Sequence, residues 1–381
     1  MADVKEIKQY QRKKKRRYGF GRTLILSTIA IGVFLFVAFS EGWINKDLFA
    51  QLVNKPQGYP VAVIGGKPKS IIKSKKNIVL LTDTDLVYYN EHGTVLSQTV
   101  HNCVNPYIIT KNNSLLVYDK GYSFFQIQDK NGILYSNSIS NRLTNADLAD
   151  NGSYAISTTS TRYLSEMFVY NKNNSEICHW KSVESYISSM SFSKTSKKIA
   201  VASIYAESGY FNSNIRIFDL NRVEDPVILN LNFNDSAIVK IQYLNSGKIL
   251  VIFDNYYVII DETGKIIERN EFGSENELYF QEMDANGGII ILKSADGTLI
   301  LNRIFSNEST EKTQFKLEET SFKTLTYSEN SVFILHDDNV YEYKNDGSKS
   351  IIIENITDSF DICQNNEILY TLNFTQIDSY N

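Results

Sequence analysis

The chain has 381 residues, 43% hydrophobic and 22% charged, which is ample apolar material for a large core and excludes a disordered chain. Its formal net charge of −4 hides an asymmetry: residues 1–22 carry nine Lys/Arg against two Asp/Glu, while the rest carries 30 basic and 41 acidic side chains. An acidic body is a poor match for a nucleic-acid groove, so no nucleic-acid partner is expected, and the composition excludes collagen, a disulfide scaffold and a multi-pass transporter.

The first segment reads as a membrane anchor. Arg12-Lys-Lys-Lys-Arg-Arg17 and Arg22 precede Thr23–Phe39, 17 residues without a charge. Basic residues on the N-terminal flank alone predict a cytoplasmic tail over 1–22, a transmembrane signal anchor over 23–40 and a C-terminal part outside the cytoplasm. Trp43 suits the outer interface. Ala38-Phe39-Ser40 also fits a small-x-small cleavage motif, but the long leader and the bulky aromatics beside that site favour an uncleaved anchor. Residues 41–59 form a linker, in which Lys55–Pro60 holds two of the five prolines and introduces a folded domain over 60–381.

From Val61 onward short β-runs alternate with turn residues, and one unit recurs. It is a β-run, a polar break, a second run, an Asn/Asp turn that often ends in Gly, and a third run. Clear copies are Ile78–Leu81, Leu86–Tyr89, Asn90–Gly93, Val95–Val100, and Ile249–Phe253, Tyr257–Ile260, Asp261–Gly264, Ile266–Glu268. Each follows another run, such as Ile187–Phe192 or Ile238–Tyr243, which gives four strands per unit. The copies open at Asn77, Asn113, Gly152, Ser196, Gly247, Gly288, Asn330 and Asn366, about 41 residues apart on average. Four antiparallel strands at that period predict a β-propeller, because one small sheet cannot bury both faces alone. The last copy stops one strand short, and a surplus run, Pro60–Ile64, precedes the first. That surplus strand is expected to complete the last blade and close the ring. Eight blades follow from the count; seven would follow if the irregular stretch between Gly152 and Asn214 is one copy fewer.

The Asp-x-x-Gly turn followed by an apolar strand, as in Asp129–Tyr135 and Asp261–Ile267, resembles the repeats of quinoprotein-like and WD40-like propellers. The whole arrangement of basic tail, single span and divergent propeller resembles a Firmicute family of unknown function, and the Asn/Ile/Lys/Tyr-rich, Pro-poor composition suits a low-GC bacterium. The resemblance implies a fold and a location in the cell membrane, and no activity. Quinone-dependent propeller enzymes stack their cofactor on tryptophan and often use a vicinal cysteine pair. Here the tryptophans are Trp43 and Trp180, and Cys103, Cys178 and Cys363 are far apart.

Catalytic motifs are sparse. No Walker loop, GxGxxG or GxSxG occurs. The histidines His92, His101, His179 and His336 lack metal-ligand spacing, and His336-Asp337-Asp338 reads as a polar turn between two strands. Asp83 and Asp85 begin no EF-hand, since Tyr88 and Thr94 stand where Gly and Glu are needed. The cysteines read as small buried hydrophobes, and no cofactor or metal is expected. What remains is surface. The longest loop between second and third strands is read as Ser203–Asn214, with Tyr205, Glu207, Tyr210 and Phe211. Tyr122, Arg162, Tyr163 and Asp337 are placed on the same face. Exposed aromatics with a few charges suit a protein interface. The expectation is a non-enzymatic binding or scaffold module for an envelope protein. The alternatives are a quinone- or metal-dependent oxidoreductase or carbohydrate-active enzyme, and an extracellular ligand sensor signalling through a partner.

Overall fold

The computed structural model describes residues 58–306 and 313–380. The expected tail, span and most of the linker lie outside those residues, and among the described residues no helix is long and apolar enough to cross a membrane.

The described chain forms eight four-stranded antiparallel sheets, which are eight propeller blades. Blades 1 to 7 span residues 68–100, 106–138, 143–182, 186–233, 238–271, 276–316 and 324–353, each in simple sequence order from the inner strand outward. Blade 8 takes its three inner strands from 361–380 and its outermost strand, Val61–Ala62, from the start of the domain. The irregular stretch after Gly152 therefore holds parts of two blades, 3 and 4. Its long spacing comes from an extended hairpin in blade 4.

Burial follows the blade geometry. Second and third strands are covered on both sheet faces, as in Ile249–Phe253 and Tyr256–Ile260, where every residue is buried. Fourth strands lie at the perimeter and are the least covered; Ile266–Glu271 has no buried residue. The core is accordingly divided into eight apolar clusters, one in each seam between neighbouring blades. Apolar burial drives this stacking, at about 25 cal/mol per Å² removed from water. The inner strands are also stitched together across the seams by side chains. Asp147 Oδ2 accepts the Phe192 amide at 2.7 Å, Ser191 Oγ accepts that of Tyr243 at 2.9 Å, and Thr326 Oγ1 accepts that of Gln364 at 3.1 Å.

The Asp-x-x-Gly signature has a local cause. Asp261 Oδ1 accepts the amides of Thr263 and Lys265 at 2.9 and 3.0 Å, and Asn90 Oδ1 does the same for His92 and Thr94. Each such side chain closes the turn between third and fourth strands.

Closure matches the surplus strand, shortened to two residues: Val61 pairs with Ile377 and Ala62 with Gln376, and the Val63 amide donates to the Thr375 carbonyl at 2.8 Å. Tyr59 packs edge-on against Tyr370, with centroids 5.1 Å apart. Gly93, at φ +74°, lies against this segment; a Cβ there would meet Val61 Cγ1 at 2.6 Å. The chain enters beside blade 1, where the Gly58 amide donates to the His92 carbonyl.

Candidate functional site

The propeller has two faces. The upper face carries the turns between second and third strands and the connections between blades; the lower face carries the remaining turns and the point where the chain enters.

All eight sequence-selected residues belong to upper-face elements, but the structure regroups them. The expected loop Ser203–Asn214 is instead the end of a hairpin, Lys198–Glu207 with Tyr210–Asp219, closed by Ser208-Gly209. Both turn residues have positive φ, 54° and 87°, as a tight two-residue hairpin requires. Register pairs Tyr205 with Asn212 and Glu207 with Tyr210, so Tyr205, Glu207 and Tyr210 share one face of the hairpin. Arg216, on that same face, lies 5.1 Å from the Trp180 ring of blade 3, so this face looks toward blade 3. Phe211 pairs with Ala206 on the opposite face, the side on which Ile215 and Ile217 pack against blade 5. Tyr210 and Phe211 are 64% and 63% exposed, whereas Tyr205 is half-buried.

Arg162 and Tyr163 stand on the blade 3 turn that this hairpin faces. Ser160 organises that turn: its Oγ accepts the amides of Arg162 and Tyr163, both at 3.2 Å, and donates to Glu166. The Ser160 hydrogen bond, with His179 Nε2 at 2.7 Å from the other carboxylate oxygen, holds Glu166 below the usual carboxylate range. Lys181 Nζ sits 5.6 Å from the Tyr163 ring. Tyr122 occupies the neighbouring blade 2 turn, and its carbonyl accepts the Leu143 amide of blade 3. Asp337 is separated from this group: it lies in the two-residue turn of blade 7, at φ +49° and 3.4 Å from His336, an ordinary polar turn.

Sequence reasoning missed Val183 and Tyr186, 64% and 58% exposed, where blade 3 leads into blade 4. With Tyr122, Tyr210 and Phe211 they make the upper side of blades 2 to 4 rich in exposed apolar groups. The signal was present in Val183 and Tyr186, which flank a Glu-Ser break just before the run Ile187–Phe192. Ser160 and Glu166 carried no signal, because their role depends on a turn geometry.

A separate, concave feature is axial. Lys73 on the inner strand of blade 1 reaches Asp284 of blade 6 at 3.8 Å, a contact that crosses the central channel. Glu282 of blade 6 and Asp361 of blade 8 face the same space. Glu282 is exposed to the channel, but the desolvation imposed by the surrounding protein, with Asp284 and Asp361 nearby and only Lys73 opposing, pushes its carboxyl up to about 7. Burial likewise raises Asp361 to about 6, although amides of Ile71 and Ile362 and the Thr324 hydroxyl stabilise its anion. Below the Lys73–Asp284 contact opens a vestibule of about 750 Å³ bounded by the lower turns of blades 5 to 8.

The remaining chemistry-bearing residues are structural. His101 is fully buried, with Nε2 3.0 Å from the Thr82 carbonyl. The three cysteines are free thiols, and burial pushes those of Cys103 and Cys363 up to about 12. Trp180 is packed edge-on against Phe218 in the seam between blades 3 and 4. Among the described residues no group of three or more His, Cys, Asp or Glu is arranged to hold a metal ion.

Fold and faces together define an eight-bladed β-propeller. Residues 64–374 match the model of a family of unknown function, DUF5711, and the chain belongs to that family. No curated protein matches the chain. Among solved structures it is similar to Sqt1 of Saccharomyces cerevisiae, at 10% identity over 84% of this chain and 98% of that one, with a TM-score of 0.57. It is also similar to BamB from Moraxella catarrhalis, at 10% identity over 84% and 100% of the two chains, with a TM-score of 0.52. Hsv2 of Kluyveromyces lactis gives 9% identity over 76% and 99%, with a TM-score of 0.51. Identities this low establish a shared fold alone.

Proposed function

We propose that this protein is a membrane-anchored, extracytoplasmic propeller that acts as a non-enzymatic binding or scaffold module for an envelope protein. The basic tail and uncharged span over 1–40 support the location. One observation carries the role: the blade 4 hairpin, with Tyr210 and Phe211 more than 60% exposed, beside Val183 and Tyr186 on the same face. Aromatic side chains held on a rigid hairpin lose little entropy on binding, and clustered exposed apolar groups of this kind mark interfaces. Arg162 and Glu207 supply charge around that patch and would set the orientation of a partner.

The test is proximity labelling from a C-terminal fusion to the full-length chain in its native membrane. The expected result is one dominant envelope protein, lost when Tyr205, Tyr210 and Phe211 are all changed to Ala, with the thermal midpoint unchanged. Undiminished labelling of that protein by the triple variant would remove the hairpin from the interface.

A further inference from the structure

The exposed aromatic groups of the upper patch stand in an electrostatic setting of their own. The chain beyond residue 22 carries 30 basic against 41 acidic side chains, so a local excess of cations is the exception. The upper turns and connections of blades 2 to 4 hold Lys120, Arg142 and Arg162 against Glu184 alone. From the connection into blade 5 to the one into blade 8, the upper segments are 234–237, 254–255, 272–275, 295–298, 317–323, 337–338 and 354–360. They hold ten Asp/Glu and one basic residue, Lys323. Even with Glu318 and Glu319 met by Lys349, and Asp338 by Lys323, that half stays acidic. The upper face is therefore a dipole, and its exposed apolar groups sit at the positive end. We propose that the partner segment docking there is acidic, with Asp and Glu flanking the apolar anchors that cover Tyr122 and the blade 4 hairpin. This rests on the interface proposed above and names the chemistry of its other side.

The cations are available to a partner. Arg142 and Arg162 are exposed, and among the described residues only their backbones are hydrogen-bonded. Lys120 Nζ lies 4.8 Å from the Tyr107 ring, and Lys181, at the upper end of blade 3, lies 5.6 Å from that of Tyr163. A ring face holds an ammonium in place while leaving it N–H directions for a carboxylate. None of these four cations has an ion-pair partner among the described residues. Glu184 is itself offset: burial works against the Arg216 cation and Glu184 supports it. That leaves Glu207 at the hairpin tip as the acid on this side. Opposite charges around an apolar centre steer encounter and fix orientation, while like charges repel. An acidic segment is drawn to blades 2 to 4 and held off blades 5 to 8, which selects one docking position on a ring of similar repeats. Because the chain enters on the opposite, lower face, a protein segment is favoured here over an anionic lipid surface.

The experiment places a photoreactive p-benzoylphenylalanine in place of Tyr122 in the full-length chain, in its native membrane, and maps the adduct by mass spectrometry. The expected adduct is a protein segment in which Asp and Glu outnumber Lys and Arg around an apolar anchor. Its yield should fall about tenfold when Arg142→Glu and Arg162→Glu are combined, and hold when Glu275→Lys and Glu354→Lys are combined on the acidic half. If the double Glu variant does not fold, Arg142→Gln with Arg162→Gln carries the test, with a loss of about threefold. An adduct that maps to a basic or uncharged segment, or that survives the Arg substitutions, would overturn the acidic partner. If changing Tyr205, Tyr210 and Phe211 to Ala still removes that adduct, the interface itself stands. Equal loss in both charge-reversed pairs, or an adduct confined to lipid, would also overturn the proposal. An adduct indifferent to the triple Ala variant would instead take the hairpin out of the interface, and this proposal with it.

Discussion

The upper side of blades 2 to 4 and the lower vestibule use the same repeat in opposite ways. The upper patch is convex, apolar and built by neighbours in sequence: one turn from each of two blades and a hairpin grown longer in a third. The vestibule is concave and polar, and is built by residues far apart in the chain, such as Lys73 and Asp284, which meet only because the ring closes. A blade can lengthen a hairpin on that face without disturbing its neighbours. The axis allows no such independence, because every inner strand looks at the others.

Separating the two sides of the hairpin is the sharpest way to test the convex region. Tyr210→Ala and Phe211→Ala remove side chains on opposite faces, and each is expected to cost about 2 kcal/mol of partner affinity, roughly 30-fold, if both faces are covered. If only the face toward blade 3 is used, Phe211→Ala leaves affinity measured by surface plasmon resonance unchanged. On the concave side Arg303→Ala deprives two carbonyls of a donor and opens space between Phe305 and Tyr327. About 3 kcal/mol of stability should be lost in denaturant unfolding. A loss below 1 kcal/mol would show that the guanidinium does not tie blades 6 and 7 together. Ser160→Ala releases the turn that carries Arg162 and Tyr163, and should weaken partner binding several-fold while costing only about 1 kcal/mol in stability.

The smallest effect concerns Glu282. Its carboxyl titrates near 7 in the folded chain against 4.5 for an ordinary Glu, so the folded state holds that proton more tightly. Its contribution to stability is therefore full below about 4.5 and is lost as pH rises through about 7, with Asp361 acting in the same direction. The thermal midpoint is expected to fall from pH 5 to 8, and Glu282→Gln should flatten that fall. An identical slope in the variant would assign it to other groups.

Much of the architecture was legible in the sequence for reasons visible in single blades. The Asp261 and Asn90 turns write their hydrogen bonds into an Asp-x-x-Gly pattern, and the two central strands of a blade, buried on both faces, read as continuous apolar runs. The hairpin was misread as a loop because Ser, Gly and Asn suggested a long break, although Ser208-Gly209 alone turns the chain and Ile204–Ala206 keeps strand register with Phe211–Ser213. The vestibule was not legible. Asp361 meets the Ile71 amide across 290 residues, and no local pattern says which inner strands will face one another. The asparagines that marked the opening of several repeats were noticed as punctuation, while in the ring Asn330 and Asn366 also line the vestibule.

The two-residue strand that completes blade 8 has a mechanical consequence. Tension transmitted along the chain into Gly58 is met first by the contacts of Gly58 and Tyr59, and only beyond them loads the pairing of Val61 and Ala62 with Ile377 and Gln376. The ring of Tyr59 against Tyr370, its hydroxyl on the Asn90 carbonyl and the Gly58 amide on His92 spread that load onto blades 8 and 1. The seam that closes the circle thus doubles as its strain relief, and a pull sufficient to peel it away would open the ring at the boundary between its first and last repeats.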